Sequence, residues 1–196
     1  MSHMPTDWFA VYAPIYDAFV GLAGVAPVAP LLELAALRAH ETVLDIGGGT
    51  GRVASAAAGL CREVVVLDPC RAMLERMPAR ANLRAVAGRA QELPFETNRF
   101  DVVLCVDALH HIKDASAAAT EMHRVLRPGG RILVQEFDVR GLPGRTVQAF
   151  EWLFVDRSRF LDPMALEALL QGAGFQGNTR RRSWLEYAFL GQKAAP

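Results

Sequence analysis

The chain has no excess of charge of either sign. Among its 196 residues, Lys and Arg together number 21, Asp and Glu together also number 21, and the formal net charge is zero. A protein that binds nucleic acid by neutralising phosphates usually carries a basic excess. We therefore expect no nucleic-acid partner, and the same balance gives no strong attraction to anionic lipid.

Cysteine is scarce, and its spacing argues against two kinds of site. The three cysteines, Cys61, Cys70 and Cys105, form no C-x-x-C pair, and no histidine stands near them at a zinc-ligand spacing. Cys105 lies inside an apolar run, so we expect its thiol to be buried and inert. We expect no metal site and no disulfide framework, and a reducing, cytoplasmic location.

No uncharged stretch is long enough to suggest a membrane span. The longest runs from Ala18 to Leu32, includes Pro27 and Pro30, and falls short of the roughly 18 residues that such a span needs. Residues 1–4 are interpreted as a cloning scar and excluded from the fold, and no signal peptide is expected after them.

Short apolar runs alternate with helical patterns, which is typical of a parallel sheet covered on both faces. The sequence therefore predicts an α/β fold. Strands are predicted over 42–46, 64–67, 83–86, 100–106 and 131–137, with a hairpin over 177–192. Helices are predicted over 8–20, 28–40, 51–60, 70–77, 116–126 and 163–171. The helix over 116–126 is expected to be capped by Asp114 or Ser116 and to end at the turn 128–130, and Asp162 is expected to cap the helix over 163–171.

The most informative segment joins the first strand to the following helix and reads Asp45-Ile46-Gly47-Gly48-Gly49-Thr50-Gly51-Arg52. Glycines let the backbone turn tightly and let a ligand approach closely. The dinucleotide fingerprint fails because Arg52 stands where its third glycine is required, and no phosphate-binding Gly-Lys-Ser/Thr occurs. The carboxylate of Asp45 suits a ligand with an ammonium group rather than a pyrophosphate. The alternative is a glycine turn that binds nothing.

This loop resembles the cofactor loop of the class I S-adenosylmethionine-dependent methyltransferases, in the group that contains the ubiquinone and menaquinone C-methyltransferases. The resemblance extends over residues 8–193. Its further segments, in the family's order, are Leu67-Asp68-Pro69 with Met73-Leu74, Gln91-Glu92-Leu93-Pro94-Phe95, Arg99-Phe100-Asp101-Val102-Val103, Leu109-His110-His111-Ile112 and Arg124-Val125-Leu126-Arg127-Pro128-Gly129-Gly130.

The resemblance implies one structural domain and one class of reaction. The fold would be a Rossmann-like, doubly wound sheet of seven strands with the last strand antiparallel, made by residues 41–196, with lid helices over 5–40. The chain would transfer a methyl group from S-adenosylmethionine to a small-molecule acceptor and release S-adenosylhomocysteine. One alternative is a phospholipid N-methyltransferase, since residues 12–17 also resemble the lid of bacterial phosphatidylethanolamine enzymes. Another is a cofactor-binding regulatory or scaffold protein without turnover. No oligomer is predicted.

The resemblance also implies the cofactor contacts. Asp68, 23 positions after Asp45 at the end of the next strand, would accept both ribose hydroxyls, although a helix cap is a compatible role. Arg89 stands where the family commonly has an aspartate that accepts from the adenine amino group. Because arginine cannot accept, either Gln91 or a backbone carbonyl would replace that contact, or the guanidinium would stack on the ring. The other expected contacts are Gly47, Gly48, Gly49, Thr50, Gly51, Pro69, Met73, Ala90, Val106 and Tyr16.

The resemblance further implies that the acceptor pocket is built from the N-terminal helices and the segment after strand five. Its candidate residues are Tyr12, Tyr16, Phe150, Phe154 and Arg157, with packing or solvent exposure as the alternative for each. His110 and Asp107 follow strand four near the expected methyl group, whereas His111 is expected to pack. If the acceptor is a phenol or an acidic carbon, His110 is the candidate base, oriented by Asp107. Catalysis is expected to depend mostly on positioning.

Overall fold

Seven strands form one sheet in the computed structural model of the chain, which describes residues 27–154 and 158–195. The strands are β1 (Thr42–Ile46), β2 (Glu63–Asp68), β3 (Leu83–Ala87), β4 (Phe100–Val106), β5 (Leu126–Phe137), β6 (Phe175–Arg181) and β7 (Glu186–Lys193). Their order across the sheet is β3-β2-β1-β4-β5-β7-β6. Only β7 runs antiparallel to its neighbours β5 and β6. The predicted seven-stranded α/β fold with an antiparallel last strand is confirmed.

Helices cover both faces of the sheet. They are α1 (Val28–Ala35), α2 (Arg52–Ala57), α3 (Arg71–Leu74), α4 (Ala115–Val125), α5 (Leu142–Phe154) and α6 (Pro163–Gly172), with a 3₁₀ turn at Leu109–His111. Every residue of β1 is buried, and its side chains alternate between two apolar clusters. One cluster contains Leu44 with residues of α4 and α6, and the other contains Val43 with residues of α1 and α2. A central parallel strand is apolar on both faces for this reason.

The two strongest helix starts are capped as the sequence predicts. The carboxylate of Asp114 accepts from the Ala117 amide at 2.9 Å at the start of α4. Asp162 accepts from the Ala165 amide at 2.8 Å at the start of α6, and Pro163 follows it in the first turn. Each bond satisfies an amide that lacks a partner within the helix.

Several element boundaries differ from those predicted, for identifiable reasons. Helix α4 does not continue to the turn 128–130, because Leu126 is already extended and pairs with Phe100 as the first residue of β5. Helix α1 ends at Ala35 rather than near residue 40, because Ala36 adopts the left-handed conformation with φ 48°. The guanidinium of Arg131 then donates to the Ala35 and Ala36 carbonyls at 3.1 and 2.9 Å and supports this end. Helix α5 was not predicted, and the helix predicted over 8–20 lies outside the described residues.

The topology fixes where a ligand can bind. Strand order reverses between β1 and β4, and open α/β sheets bind ligands beyond the carboxyl ends of the strands at such a switch point. The glycine loop follows β1, and Asp107 and His110 follow β4, so both predicted sites lie at this edge. Within the described ranges, we find no helix with the length and apolar character needed to cross a bilayer.

Candidate active site

The glycine loop is held tightly against the ends of two neighbouring strands. The Gly47 amide donates to the Leu67 carbonyl at 2.7 Å. Gly47 has φ 70°, and a Cβ there would lie 2.5 Å from Cβ of Ala108, beyond the end of β4. A side chain at residue 47 is therefore excluded by both backbone conformation and space. The close approach brings the loop after β1 directly against the segment that carries His110.

Asp45 is a buried carboxylate directly beneath this loop. The residue is 1% exposed, and among the described residues its Oδ2 has no hydrogen-bond partner. Burial raises the pKa of Asp45 to about 7; the neighbouring Asp68 raises it further, and Arg52 opposes the rise. A Cβ on Gly48 would lie 2.7 Å from that oxygen. An acceptor with an unused lone pair beneath a glycine backbone fits a ligand that presents a cationic donor.

Asp68 links the ends of β1 and β2. Its Oδ2 accepts from the Gly49 amide at 3.0 Å, and its Oδ1 accepts from the Cys70 amide at 2.8 Å. Burial raises the pKa of Asp68, against the lowering effect of these two amides. Cys70, rather than Asp68, occupies the cap position of α3. Each carboxylate oxygen has a second lone pair, so both could still accept from a ligand hydroxyl.

The expected adenine strip forms a short irregular bridge after β3. Arg89 pairs with Glu92 in an isolated antiparallel bridge, and the Glu92 amide donates to the Arg89 carbonyl at 3.2 Å. The Arg89 side chain is exposed, Gln91 is half-buried and Ala90 is buried. Met73 is also buried, and its Cε would lie 3.1 Å from a Cβ on Gly49, so it lies beside the loop.

His110 is paired with a carboxylate that the sequence did not point to. Nδ1 of His110 lies 2.5 Å from Oε2 of Glu136, and the two side chains are 1% and 2% exposed. Oε1 of Glu136 accepts from the Leu109 and His110 amides at 2.8 and 3.3 Å. The His110 ring stacks on Phe160, with centroids 4.4 Å apart and planes 16° apart. The buried ring is thus fixed in both position and rotation.

Asp107 belongs to a different group of contacts, so the expectation that it orients His110 needs correction. Its carboxylate accepts from Nε2 of Gln135 at 3.1 Å and lies 3.5 Å from the Arg52 guanidinium. Burial raises the pKa of Asp107 to about 7, with further contributions from Glu136 and Glu186 and opposition from Gln135 and Arg52. Glu136, on the next strand, is the carboxylate bonded to His110.

The remaining predicted residues fall in different places. Val106 is buried at the end of β4, and Thr50 is buried in the glycine loop. His111 is half-buried, and its Nδ1 lies 3.0 Å from the Ser158 hydroxyl. Phe150 and Phe154 belong to α5, and Tyr12, Tyr16 and Arg157 lie outside the described residues. One available signal for Glu136 was the polar pair Gln135-Glu136 directly after the apolar run 132–134 of β5.

All three cysteines are free and buried. Cys105 is fully buried on β4, and burial raises the pKa of its thiol well above the ordinary range. The expectation of a buried thiol at this position is confirmed, and a thiol held in its neutral form is a poor nucleophile.

Sequence comparison agrees with this geometry. The methyltransferase-domain family matches residues 44–134, from β1 to β5. The ubiquinone/menaquinone biosynthesis C-methyltransferase UbiE of Azotobacter vinelandii is 33% identical over 176 aligned positions, which cover 74% of this chain and 70% of that protein. The chain belongs to the class I S-adenosylmethionine-dependent methyltransferases, in the UbiE-like group. It is therefore an enzyme of the methyl-transferring class.

Solved structures show the same methyltransferase fold. An S-adenosylmethionine-dependent methyltransferase from Thermotoga maritima superposes with a TM-score of 0.80 at 22% identity, covering 95% of this methyltransferase and 98% of that chain. The Haemonchus contortus phospholethanolamine N-methyltransferase 2 superposes with a TM-score of 0.72 at 19% identity. It covers 85% of this chain and 52% of that one, and it contains S-adenosylhomocysteine and phosphomonomethylethanolamine.

Proposed function

We propose that this methyltransferase methylates a ring carbon of a small aromatic hydroquinone, with His110 as the base that takes the hydroxyl proton. The UbiE relative, a C-methyltransferase of quinone biosynthesis by name, supports this class of acceptor. The observation that carries the proposal is the buried His110–Glu136 pair at the switch point, on the segment that touches the glycine loop. An amine acceptor that is already neutral would not need such a base.

The residues around the glycine loop fit S-adenosylmethionine. The unpartnered oxygen of Asp45 would accept from the ammonium group, and the carboxylate of Asp68 would accept from the ribose hydroxyls. Arg89 replaces an acceptor, so the half-buried Gln91 or a backbone carbonyl is the proposed contact for the adenine amino group. When bound, S-adenosylmethionine supplies a methyl group that its sulfonium already activates. The other proposed contacts are Gly47, Gly48, Gly49, Thr50, Gly51, Pro69, Met73, Ala90, Val106 and Tyr16.

The protein's own part in the reaction is to position the acceptor and move one proton. His110 takes the hydroxyl proton at Nε2, which raises the electron density of the ring carbon that becomes methylated. That carbon then loses its own hydrogen as a proton to solvent, and His110 returns a proton to the oxygen, so the ring becomes aromatic again and His110 is neutral at the end. A base of this kind contributes roughly 10²–10⁴-fold in rate. Orientation of two reactants can supply about 7–11 kcal/mol of barrier reduction. Positioning is therefore the larger contribution, and His110 adds to it.

We also propose that the part of the chain before α1 covers the acceptor. Helix α1 itself packs into the core through Leu31 and Leu32, and Arg131 ties down its end. It is thus a fixed support, and the lid would be confined to residues that precede it. Tyr12, Tyr16, Phe150, Phe154 and Arg157 are the proposed contacts to the acceptor.

The experiment is a transfer assay with methyl-labelled S-adenosylmethionine and two probes. One is 1,4-dihydroxynaphthalene kept reduced, and the other is vesicles of phosphatidylethanolamine. We expect label on a ring carbon of the dihydroxynaphthalene, located by NMR of the product. Label only on the lipid amine would replace this proposal with an N-methyltransferase. Calorimetric binding of S-adenosylhomocysteine without transfer to either probe would contradict the proposed acceptor and leave the cofactor site standing.

Protein variants, assayed with the probe that is methylated, distinguish the contribution of the base from that of the lid. His110→Ala should retain measurable turnover, lowered by no more than ~10⁴-fold, because only the base is lost. Tyr12→Phe and Tyr16→Phe are the variants for comparison, because they keep the ring size and remove only a hydroxyl. Complete loss of activity in a folded His110→Ala protein that still binds S-adenosylhomocysteine would contradict the view that positioning dominates.

A further inference from the structure

We propose that Glu136 is a positioning residue that fixes the tautomer of His110, so that Nδ1 carries the hydrogen and Nε2 accepts the acceptor's proton. The inference rests on the proposed role of His110 as a base. It assigns a role in the reaction to a strand residue that makes no contact with the acceptor itself.

The short contact between the two side chains defines which ring nitrogen is the donor. Oε2 of Glu136 lies 2.5 Å from Nδ1 of His110, with both side chains almost completely buried. An ionised carboxylate can only accept a hydrogen bond. The hydrogen between them therefore belongs to Nδ1, which makes Nε2 the basic nitrogen of the neutral ring. Such a charge-assisted bond is stronger than one between neutral groups.

The two oxygens of Glu136 have different partners, so they cannot exchange places. Oε1 accepts from the backbone amides of Leu109 and His110 at 2.8 and 3.3 Å. If Glu136 were changed to Gln, its single oxygen would have to remain on these two donors. The new NH₂ group would then face Nδ1 of His110 and donate to it. The ring would be forced into the opposite tautomer, with its hydrogen on Nε2, where it cannot take a proton.

Neighbouring residues hold the His110 ring in the plane in which Nδ1 points to Glu136. Phe160 stacks on His110, and the carbonyl of His110 accepts from the Arg159 amide at 2.9 Å. The titratable groups that face the pair are Cys105 on β4, Asp107 directly after β4, His111 on the same turn and Tyr187 on β7. Burial raises the pKa of the Cys105 thiol and of the Tyr187 hydroxyl, so both stay neutral at physiological pH. The Tyr187 hydroxyl donates to the Leu161 carbonyl at 2.6 Å.

The test is Glu136→Gln, with Glu186→Gln as the matched control. Glu186 is equally buried, but its carboxylate contacts Gln135 and Ser183, and its pairing with Phe137 places it on the opposite face of the sheet from Glu136. The first readout is the pair of imidazole ¹⁵N shifts of His110, followed from pH 6 to pH 9 without acceptor. Wild type and Glu186→Gln should show Nδ1–H at the alkaline end, and Glu136→Gln should show Nε2–H. An unchanged tautomer in Glu136→Gln would overturn the inference.

The second readout is turnover of the dihydroxynaphthalene probe. Glu136→Gln should lower kcat by ~10²–10⁴-fold, as much as losing the base, with KM little changed. In a His110→Ala background, the same substitution should cause no further loss, because the two residues act as one unit. An additive loss, or an unchanged kcat with an inverted tautomer, would refute the role of Glu136 as a positioning residue for the reaction. Failure of the wild type to methylate this probe would count against the proposed acceptor alone, since the ¹⁵N readout would still decide the tautomer.

Discussion

The buried carboxylate of Asp45 should make the protein without cofactor less stable as pH rises. The pKa of Asp45 is about 7 in the fold, against an ordinary value of 3.8. Stability that is fully present below pH 3.8 is therefore lost progressively as pH rises to about 7. A tenfold change in proton affinity is worth about 1.4 kcal/mol. Burying Asp45 thus costs the fold about 4 kcal/mol at pH 8, and roughly 1.5 kcal/mol at pH 5.

The Asp45→Asn variant measures the free-energy cost of burying the Asp45 carboxylate. The amide has nearly the same shape, and any penalty for its own unsatisfied hydrogen bonds, about 1–3 kcal/mol, does not depend on pH. Urea unfolding at both pH values should show the variant gaining about 2–3 kcal/mol on the wild type between pH 5 and pH 8. Glu33→Gln, which changes an exposed carboxylate, serves as the control and should differ from the wild type equally at both pH values.

Asp45→Asn should also weaken the binding of the ligand, although it removes the pH-dependent cost to stability. If Asp45 accepts from the ammonium group, Asp45→Asn loses a hydrogen bond between charged groups worth roughly 1.5–3 kcal/mol, which weakens affinity by ~10–10²-fold. Calorimetry with S-adenosylhomocysteine measures this. A variant that is equally destabilised at both pH values and binds with unchanged affinity would refute the reasoning on Asp45 as a whole.

Three further predictions concern the same loop. Binding of S-adenosylhomocysteine at pH 6 should release a proton from Asp45; a binding enthalpy that is equal in buffers of different ionisation enthalpy would contradict this. Asp68→Ala should weaken that binding at least ~10-fold by calorimetry, and an unchanged affinity in a folded variant would place the ribose elsewhere. Gly48→Ala should cost about 1–3 kcal/mol in urea unfolding, because its Cβ would lie 2.7 Å from Oδ2 of Asp45. Gly172→Ala, with open space around its Cβ, should stay within about 0.5 kcal/mol of the wild type, and equal effects of the two would contradict the packing argument.

Local patterns were enough to predict most of the sheet. A short apolar run that ends in glycines predicted β1 and the glycine loop, because a buried parallel strand and a tight turn each have a distinct composition. Asp114 and Asp162 predicted helix starts because a side-chain cap acts within three residues. These features depend on neighbours in sequence, so they can be read from it directly.

Features that depend on distant partners were not predictable in this way. The left-handed end of α1 is supported by Arg131, 95 residues after Ala36. Glu136 follows His110 by 26 residues, and only the pairing of β4 with β5 brings their strand ends together. Asp107 stands nearer in sequence and was the natural choice, but its left-handed backbone, with φ 52°, is accompanied by a contact to Gln135 instead.

The anchoring of the chain around α5 has an evolutionary consequence. Before α5, the chain is held where the Asp138 amide donates to the Leu185 carbonyl at 2.7 Å. After α5, it is held where the Arg159 amide donates to the His110 carbonyl and where the Leu161 carbonyl accepts from the Tyr187 hydroxyl. The segment between these two anchored ends can therefore differ among relatives while His110 stays in place. A new acceptor could be accommodated by exchanging this segment between relatives, with no change to the hydrogen-bonded His110–Glu136 pair.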